Sequence, residues 1–377
     1  MSSVPSPPLP PAPFLAGGRK IISLSKRKRN VTRCSPRSIL MYLSATLLFA
    51  VVWMYRILYS TWSAPAPVSI PASVLSEPLV VPASIPRPPS APGAVVLGMH
   101  RSGTSVLCGL LVTGLGYSVG RPNKLLDTKP ENPLGYFERK DVVWPSDTML
   151  KKEVGGWNGD VVAFDNDAAI GGGKLLEYGM ARSALAFLND AAEQPWVLKD
   201  PRMCVLLPTW LHHVKGRPAV VFTFRDPLEV AASLSKRTLY KRTDMTKWLG
   251  LWIDYNRLAV QHSAGLCRVI TSAEALLADP FGEGVRIGAA LGACGAPPPR
   301  TLTQATAESF VDASLRHKKE RGGGTPLETY RGCAIGDYDG SDAHAGERDM
   351  YVRAMRVYCD LQSRRAFETE YPWPATG

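Results

Sequence analysis

The sequence predicts an α/β fold, a parallel β-sheet flanked by helices and preceded by one N-terminal transmembrane helix. Three observations predict it. Short apolar runs alternate with longer helical patterns from residue 94 onward. A glycine-spaced loop, GMHRSGTS at 98–105, directly follows the first of those runs. One uncharged apolar stretch lies immediately behind a basic N-terminus.

Of the 44 basic residues, eight fall within residues 1–38 (Arg19, Lys20, Lys26, Arg27, Lys28, Arg29, Arg33 and Arg37), where no acidic residue occurs. The net charge of +11 is therefore concentrated in a basic cytosolic tail, leaving 36 basic against 33 acidic residues elsewhere. A near-neutral body argues against nucleic acid as a partner. From Ile39 to Tyr55 there are 17 residues without a charge, the short end of a bilayer span of ~20 residues. Arg56 can snorkel to the interface, extending the signal anchor over 39–62 with Trp53, Tyr55, Tyr59 and Trp62 as an aromatic belt. No small-residue cleavage site closes the apolar core, so the anchor reads as uncleaved. Positive charge stays cytosolic, which predicts a single-pass type II membrane protein. Residues 63–93, rich in Pro, Ala and Ser, read as a semi-rigid stem. Residues 94–377 form the lumenal domain.

Within that domain, AVVLG (94–98), WVLK (196–199), AVVFTF (219–224) and CRVI (267–270) have the continuous apolar character of strands buried on both faces. Helical patterns cover 104–114, 174–190, 203–214, 227–237, 246–262 and 347–366, and the Gly-rich stretch 321–346 reads as a loop. In such sheets ligands gather at the carboxyl ends of the strands. The seven cysteines (34, 108, 204, 267, 294, 333 and 359) include no C-x-x-C pair, so zinc is not expected. A lumenal domain can oxidise a pair of the last six. Cys34 lies on the cytosolic side as a free thiol or palmitoylation site, and the sequon at Asn30 lies there too.

Gly98 and Gly103 have the spacing of a phosphate-binding loop, but Thr104 replaces the lysine that normally follows the second glycine, and Ser105 comes next. Backbone N–H groups bind an anion there, Arg101 supplies the cation, and Thr104 and Ser105 supply hydroxyls. The lost lysine argues against an ordinary ATPase or kinase. In FRDPLEVAAS, Asp226, Pro227 and Glu229 make a capping box. Capping does not account for Arg225 at the end of an apolar strand, where an arginine suits a phosphate.

These two loops resemble the nucleotide-dependent sulfotransferases, particularly the membrane-anchored carbohydrate and tyrosylprotein types, with their P-loop-containing nucleotide-hydrolase-like sulfotransferase fold. The resemblance spans about residues 94–320 and includes NPLGYFE (132–138), WVLKDPR (196–202), ALLADP (275–280) and FVDASLRHKK (310–319). It implies that Arg101, Ser102, Gly103, Thr104 and Ser105 hold the 5′-phosphosulfate of 3′-phosphoadenosine 5′-phosphosulfate (PAPS). Arg225 and Ser233, eight residues apart, would hold its 3′-phosphate. It also implies a metal-free sulfuryl transfer to a hydroxyl on a glycan or a protein tyrosine, at the Golgi membrane. Arg101 and Lys199 would stabilise the transferring group, and Glu138 is the first candidate for the general base.

His100, His212 and His213 are further candidate bases, each equally readable as structural or exposed. Asp200 either orients Lys199 or Arg202 or forms an ordinary ion pair, and Arg316 to Lys319 read as a solvated basic patch or a late phosphate contact. Two rival readings remain. The triplets at 165–167 and 337–339 match the D-x-D of a metal-dependent Golgi glycosyltransferase, and a tethered module could bind the nucleotide without turnover.

Overall fold

A computed structural model describes residues 90–129, 132, 134–237, 245–310, 328–336, 338 and 345–376. The tail, anchor, most of the stem, the sequon, Cys34 and residues 316–319 lie outside the described residues. Among the described residues no helix is long and apolar enough to cross a membrane.

In chain order the elements are β1 (Gly93–Leu97), α1 (Thr104–Gly109), α2 (Lys140–Val154), α3 (Asn166–Gly171), α4 (Gly179–Leu188), β2 (Trp196–Lys199), α5 (Met203–Leu211), β3 (Ala219–Phe224), α6 (Pro227–Arg237) and α7 (Met245–His262). There follow β4 (Arg268–Ser272), α8 (Ala273–Ala278), α9 (Pro280–Ala293), α10 (Gln304–Ser309), the hairpin β5 (Glu328–Tyr330) and β6 (Cys333–Ile335), and α11 (Ala345–Gln362). Strands β2-β1-β3-β4 form one sheet in that order, and all its pairings are parallel. Parallel neighbours need crossover connections, and the intervening helices provide them on both faces.

The alternation along each strand sorts the core into two layers. Val95, Leu97, Leu198, Val220 and Phe222 face a cluster with Trp210, Trp248 and Trp252. Ala94, Val96, Val197 and Val221 face the other, with Leu107, Ile287 and Leu291. Every residue of β1, β2 and β3 is buried, which is why their sequences are continuously apolar.

Several boundaries differ from the sequence expectation; the helix expected over 174–190, for one, is a 3-10 turn, Lys174–Glu177, followed by α4. The helix expected over 104–114 is α1 followed by a π-helical turn, Leu110–Gly114. The strand expected at 267–270 runs instead to Ser272, because Thr271 and Ser272 pair with Thr223 and Phe224 of β3. The stretch 321–346, expected as a loop, contains the β5–β6 hairpin, in which Glu328 pairs with Ile335. A Cys333–Cys359 disulfide ties that hairpin to α11, and Tyr330 Oη donates to Asp360 Oδ2 at 3.0 Å. These anchors come from α11, so the local composition does not show them. A second disulfide, Cys267–Cys294, joins the start of β4 to the end of α9. Two of the candidate pairs are thus formed, and Cys108 and Cys204 are buried free thiols.

Candidate active site

The phosphate-loop candidate connects β1 to α1 at the carboxyl edge of the sheet. Its glycines are there for space and backbone angle. A Cβ on Gly98 would lie 2.5 Å from the Thr223 carbonyl oxygen, so the loop leaves β1 pressed against β3. Gly103 has φ +80° and precedes α1, a left-handed conformation that glycine adopts without steric cost. Arg101 also has positive φ, 71°. An arginine held in that sparsely populated region marks a local backbone constraint.

The side chains of the loop reach different partners. Arg101 Nε donates to Ser233 Oγ at 2.9 Å, bringing together the two loops expected to share one nucleotide. Ser102 is 1% exposed, and its Oγ has no hydrogen-bond partner among the described residues. A buried, unsatisfied hydroxyl costs about 1–3 kcal/mol, so this one fits an anion ligand such as the phosphosulfate. Thr104 is buried at the start of α1. Ser105 Oγ accepts from Lys199 Nζ at 3.2 Å and from Asn132 Nδ2 at 3.3 Å.

Lys199 ends β2, next to β1 in the sheet, which directs it towards the same edge. It is 2% exposed and donates to Glu138 Oε1 at 2.5 Å and to the Tyr136 carbonyl at 3.1 Å. Glu138, itself buried, is positioned by the turn ahead of α2, and its carbonyl accepts from Leu126 N at 2.8 Å. The structure therefore places Ser105, Lys199 and Glu138 in one hydrogen-bonded set, while Arg101 of the same loop meets Ser233. Asn132 and Tyr136 belong to it too, though the sequence reading quoted their motif without giving either a role. Burial raises the nearby Cys108 thiol to about 12, Lys199 lowering and Glu138 raising it less strongly, so Cys108 is no nucleophile here.

Asp200 bonds to Arg202. Its Oδ1 accepts from Arg202 N and Nη1, both at 3.0 Å, and Arg202 Nη2 continues to Asp147 Oδ1 of α2 at 3.4 Å. Burial lowers the basicity of Arg202, but Asp200, Asp147 and Glu138 outweigh it and hold the guanidinium above its ordinary pKa. Asp200 thus pairs with Arg202, as either an orienting contact or an ordinary strand-end ion pair would require.

Arg225 lies at the end of β3. It donates through Nε to Glu229 Oε2 at 2.7 Å and pairs through Nη2 with the same oxygen at 2.7 Å. The expected capping box is only half formed. Asp226 Oδ1 accepts from Leu228 N at 2.9 Å and Glu229 N at 3.2 Å, but the reciprocal acceptor for Asp226 N is Glu274 Oε1, at 3.0 Å. Glu274 comes from α8 because β4 lies beside β3. Its burial raises its carboxyl above the ordinary range, against the lowering hydrogen bond from Asp226. Gly103, Val106, Arg225, Ala273, Leu276 and Leu277 line one small cleft of about 60 Å³. Gly103 of the phosphate loop and Arg225 thus border one small cleft whose other lining residues are apolar.

The remaining candidates are not brought to this set. The His100 ring packs on Trp157, with centroids 4.4 Å apart, and edge-on to Tyr255. His212 and His213 meet edge to face just past the far end of α5, about 13 Å along that helix from the Asp200 turn. Asp165 of the first acidic triplet caps α3 by accepting from Ala168 N at 2.8 Å. Asn166 Nδ2 donates to the Val205 carbonyl. Asp165 and Asn166 are thus used in local structure, and Asp337 and Asp339 of the second triplet lie outside the described residues.

No family model matches the chain, and no curated protein matches it. Among solved structures the chain is similar to the sulfotransferase domain of the Synechococcus PCC 7002 olefin synthase, at 16% identity and a TM-score of 0.35, over 60% of this chain and 90% of that one. It is similar to the sulfotransferase domain from the curacin biosynthetic pathway at 12% identity and a TM-score of 0.36, over 76% and 95%. It is also similar to retinol dehydratase in complex with androsterone and the inactive cofactor PAP, at 17% identity and a TM-score of 0.31, over 76% and 84%. At these values a likeness bears no weight on substrate or residue roles, and the functional reading rests on this chain's own residues.

Proposed function

We propose that this chain is a PAPS-dependent sulfotransferase that moves a sulfuryl group to a hydroxyl of a glycan acceptor. The observation that carries this reading is the convergence at Ser105. One buried ammonium, Lys199 Nζ, bonds at once to the phosphate-loop hydroxyl and to the Glu138 carboxylate. A cation and a carboxylate thus stand at the edge of an anion-binding loop, the arrangement a hydroxyl transfer needs.

Each residue has a defined task in this reading. Backbone N–H groups of 101–105, the Ser102 hydroxyl and Arg101 hold the 5′-phosphosulfate, and Arg225 with Ser233 holds the 3′-phosphate. PAPS supplies an activated sulfuryl group and a phosphate leaving group. Glu138 accepts the acceptor's hydroxyl proton as the oxygen–sulfur bond forms and the bond from sulfur to the phosphate oxygen breaks. Lys199 and Arg101 offset the negative charge that develops on the sulfuryl and leaving oxygens.

The two disulfides support an oxidising compartment. With the basic tail and the apolar stretch 39–62, they favour a type II protein of the Golgi membrane with residues 94–377 in the lumen. Incubating the full-length chain in detergent with radiolabelled PAPS and a panel of glycans and tyrosine peptides tests the reading. Label transferred to a glycan without added divalent metal is the expected result. Sugar transfer from a sugar nucleotide with manganese would establish the glycosyltransferase instead. Nucleotide binding without turnover on any acceptor would leave a binding module.

A further inference from the structure

Helix α2 runs between two fixed points of the candidate site. Just before its start, Glu138 pairs with Lys199. At its eighth residue, Asp147 pairs with Arg202, which is held in turn by Asp200 beside Lys199. The stretch from 138 to 147 therefore lies along the carboxyl end of β2. Its inward face (Val142, Val143, Ser146, Met149 and Leu150) is buried. Its outward stripe carries Lys140, Trp144, Asp147 and Lys151, spaced three or four residues apart as neighbours on one helix face.

Trp144 is 59% exposed. Single exposed apolar residues are ordinary, but this one stands between the two anchor points of the site. Leu134, 46% exposed, lies two residues from Asn132, which bonds to Ser105, and two from Tyr136, which bonds to Lys199. We propose that Trp144 is the platform on which a pyranose ring of the acceptor stacks, with the neighbouring Asp147 and Lys151 binding the ring hydroxyls. The proposal rests on the sulfuryl-transfer reading for the reaction, and names the acceptor class from a separate set of residues.

The chemistry distinguishes a sugar from other hydroxyl compounds. A pyranose has one apolar C–H face and a rim of hydroxyls that both donate and accept. The open indole of Trp144 offers a flat apolar surface with one edge in water. One turn on, Asp147 accepts, and two turns on, Lys151 donates; the two are held together at 2.7 Å. An acceptor made of hydrocarbon calls for an enclosed apolar pocket, whereas this ring stands open beside an ion pair.

The test uses the full chain in detergent, with neutral oligosaccharides of defined sequence, a tyrosine peptide and a hydroxylated hydrocarbon as probes. The affinity of each is measured in the presence of adenosine 3′,5′-bisphosphate, whose own affinity is measured in parallel. Trp144→Ala is expected to weaken oligosaccharide binding roughly tenfold, the loss of about one aromatic stacking contact, with nucleotide affinity unchanged. Trp144→Phe should restore most of the loss. Equal oligosaccharide affinity in Trp144→Ala overturns the proposal, as does Trp144-dependent binding of only the peptide or the hydrocarbon. Nucleotide binding with no oligosaccharide bound overturns it while leaving sulfuryl transfer standing. Trp144-dependent oligosaccharide binding without any nucleotide binding would do the reverse.

Discussion

Lys199 and Glu138, 61 residues apart, meet in a buried ion pair at 2.5 Å. The pair links the last residue of β2 to the turn before α2 and to Ser105 of the phosphate loop. Removing one partner of such a pair leaves an uncompensated buried charge, whereas replacing both with apolar groups is often neutral. Lys199→Met should therefore destabilise the fold by about 3–5 kcal/mol in urea unfolding, and Lys199→Met with Glu138→Leu should recover most of it. Glu138→Gln keeps the shape and a hydrogen-bond acceptor. It is expected to retain nucleotide affinity while losing turnover, and full activity would remove Glu138 from the base role.

Arg101 follows β1 and Arg225 follows β3, two adjacent strands of the sheet, and both are proposed nucleotide contacts. Hydrogen bonds to charged groups contribute about 1.5–3 kcal/mol. Arg101→Ala and Arg225→Ala should each weaken binding of the desulfated nucleotide by roughly ten- to hundredfold in calorimetry. Unchanged affinity in both folded variants would sink the donor-site assignment.

Glu229 competes for Arg225. Its carboxylate occupies the guanidinium that the 3′-phosphate would take, whereas Asp226 and Glu274 satisfy the cap of α6 without it. Glu229→Gln should thus tighten nucleotide binding, but only by up to about fivefold, since the pair is partly exposed and such pairs contribute up to ~1 kcal/mol. Weaker binding in this variant would show that Glu229 positions Arg225 for the ligand.

His262, at the end of α7, sits with Nδ1 2.9 Å from the Cys204 carbonyl. Burial holds its pKa below the ordinary 6.5, the hydrogen bond to Cys204 opposing only in part. Below pH 6.5 the unfolded chain takes up a proton that the folded chain resists, so stability is lost as pH falls through that window. One such group changes stability by at most about 1.4 kcal/mol per pH unit. In unfolding measured between pH 5 and 7, His262→Gln should flatten the acid slope by up to that amount. An unchanged slope would mean that His262 titrates freely in the native state.

Much of this architecture was legible because its causes are local. Buried parallel strands need continuously apolar residues, so β2 and β3 lie where WVLK and AVVFTF stand. Pro227 after Asp226 places the start of α6, and the glycines at 98 and 103 bracket a loop whose backbone any larger residue would disturb. The β5–β6 hairpin was not legible, because its disulfide and its Tyr330–Asp360 bond depend on α11. Nor was the cap donated by Glu274, which depends on β4 pairing with β3.

By itself, then, the amino-acid sequence determined the short-range features of this protein: strand and helix identity, the tight phosphate-loop turn, and which cations stand at strand ends. Backbone sterics and hydrophobic periodicity act over a few residues and leave their mark in composition. Only the tertiary structure decided which of those groups meet. The β2-β1-β3-β4 order brings Lys199 to Ser105 and Arg101 to Ser233, and the path of the chain between α1 and α2 brings Glu138 to Lys199. Such contacts are selected by packing across the whole sheet, where a side chain's partner is set by the crossover path and not by its neighbours in sequence.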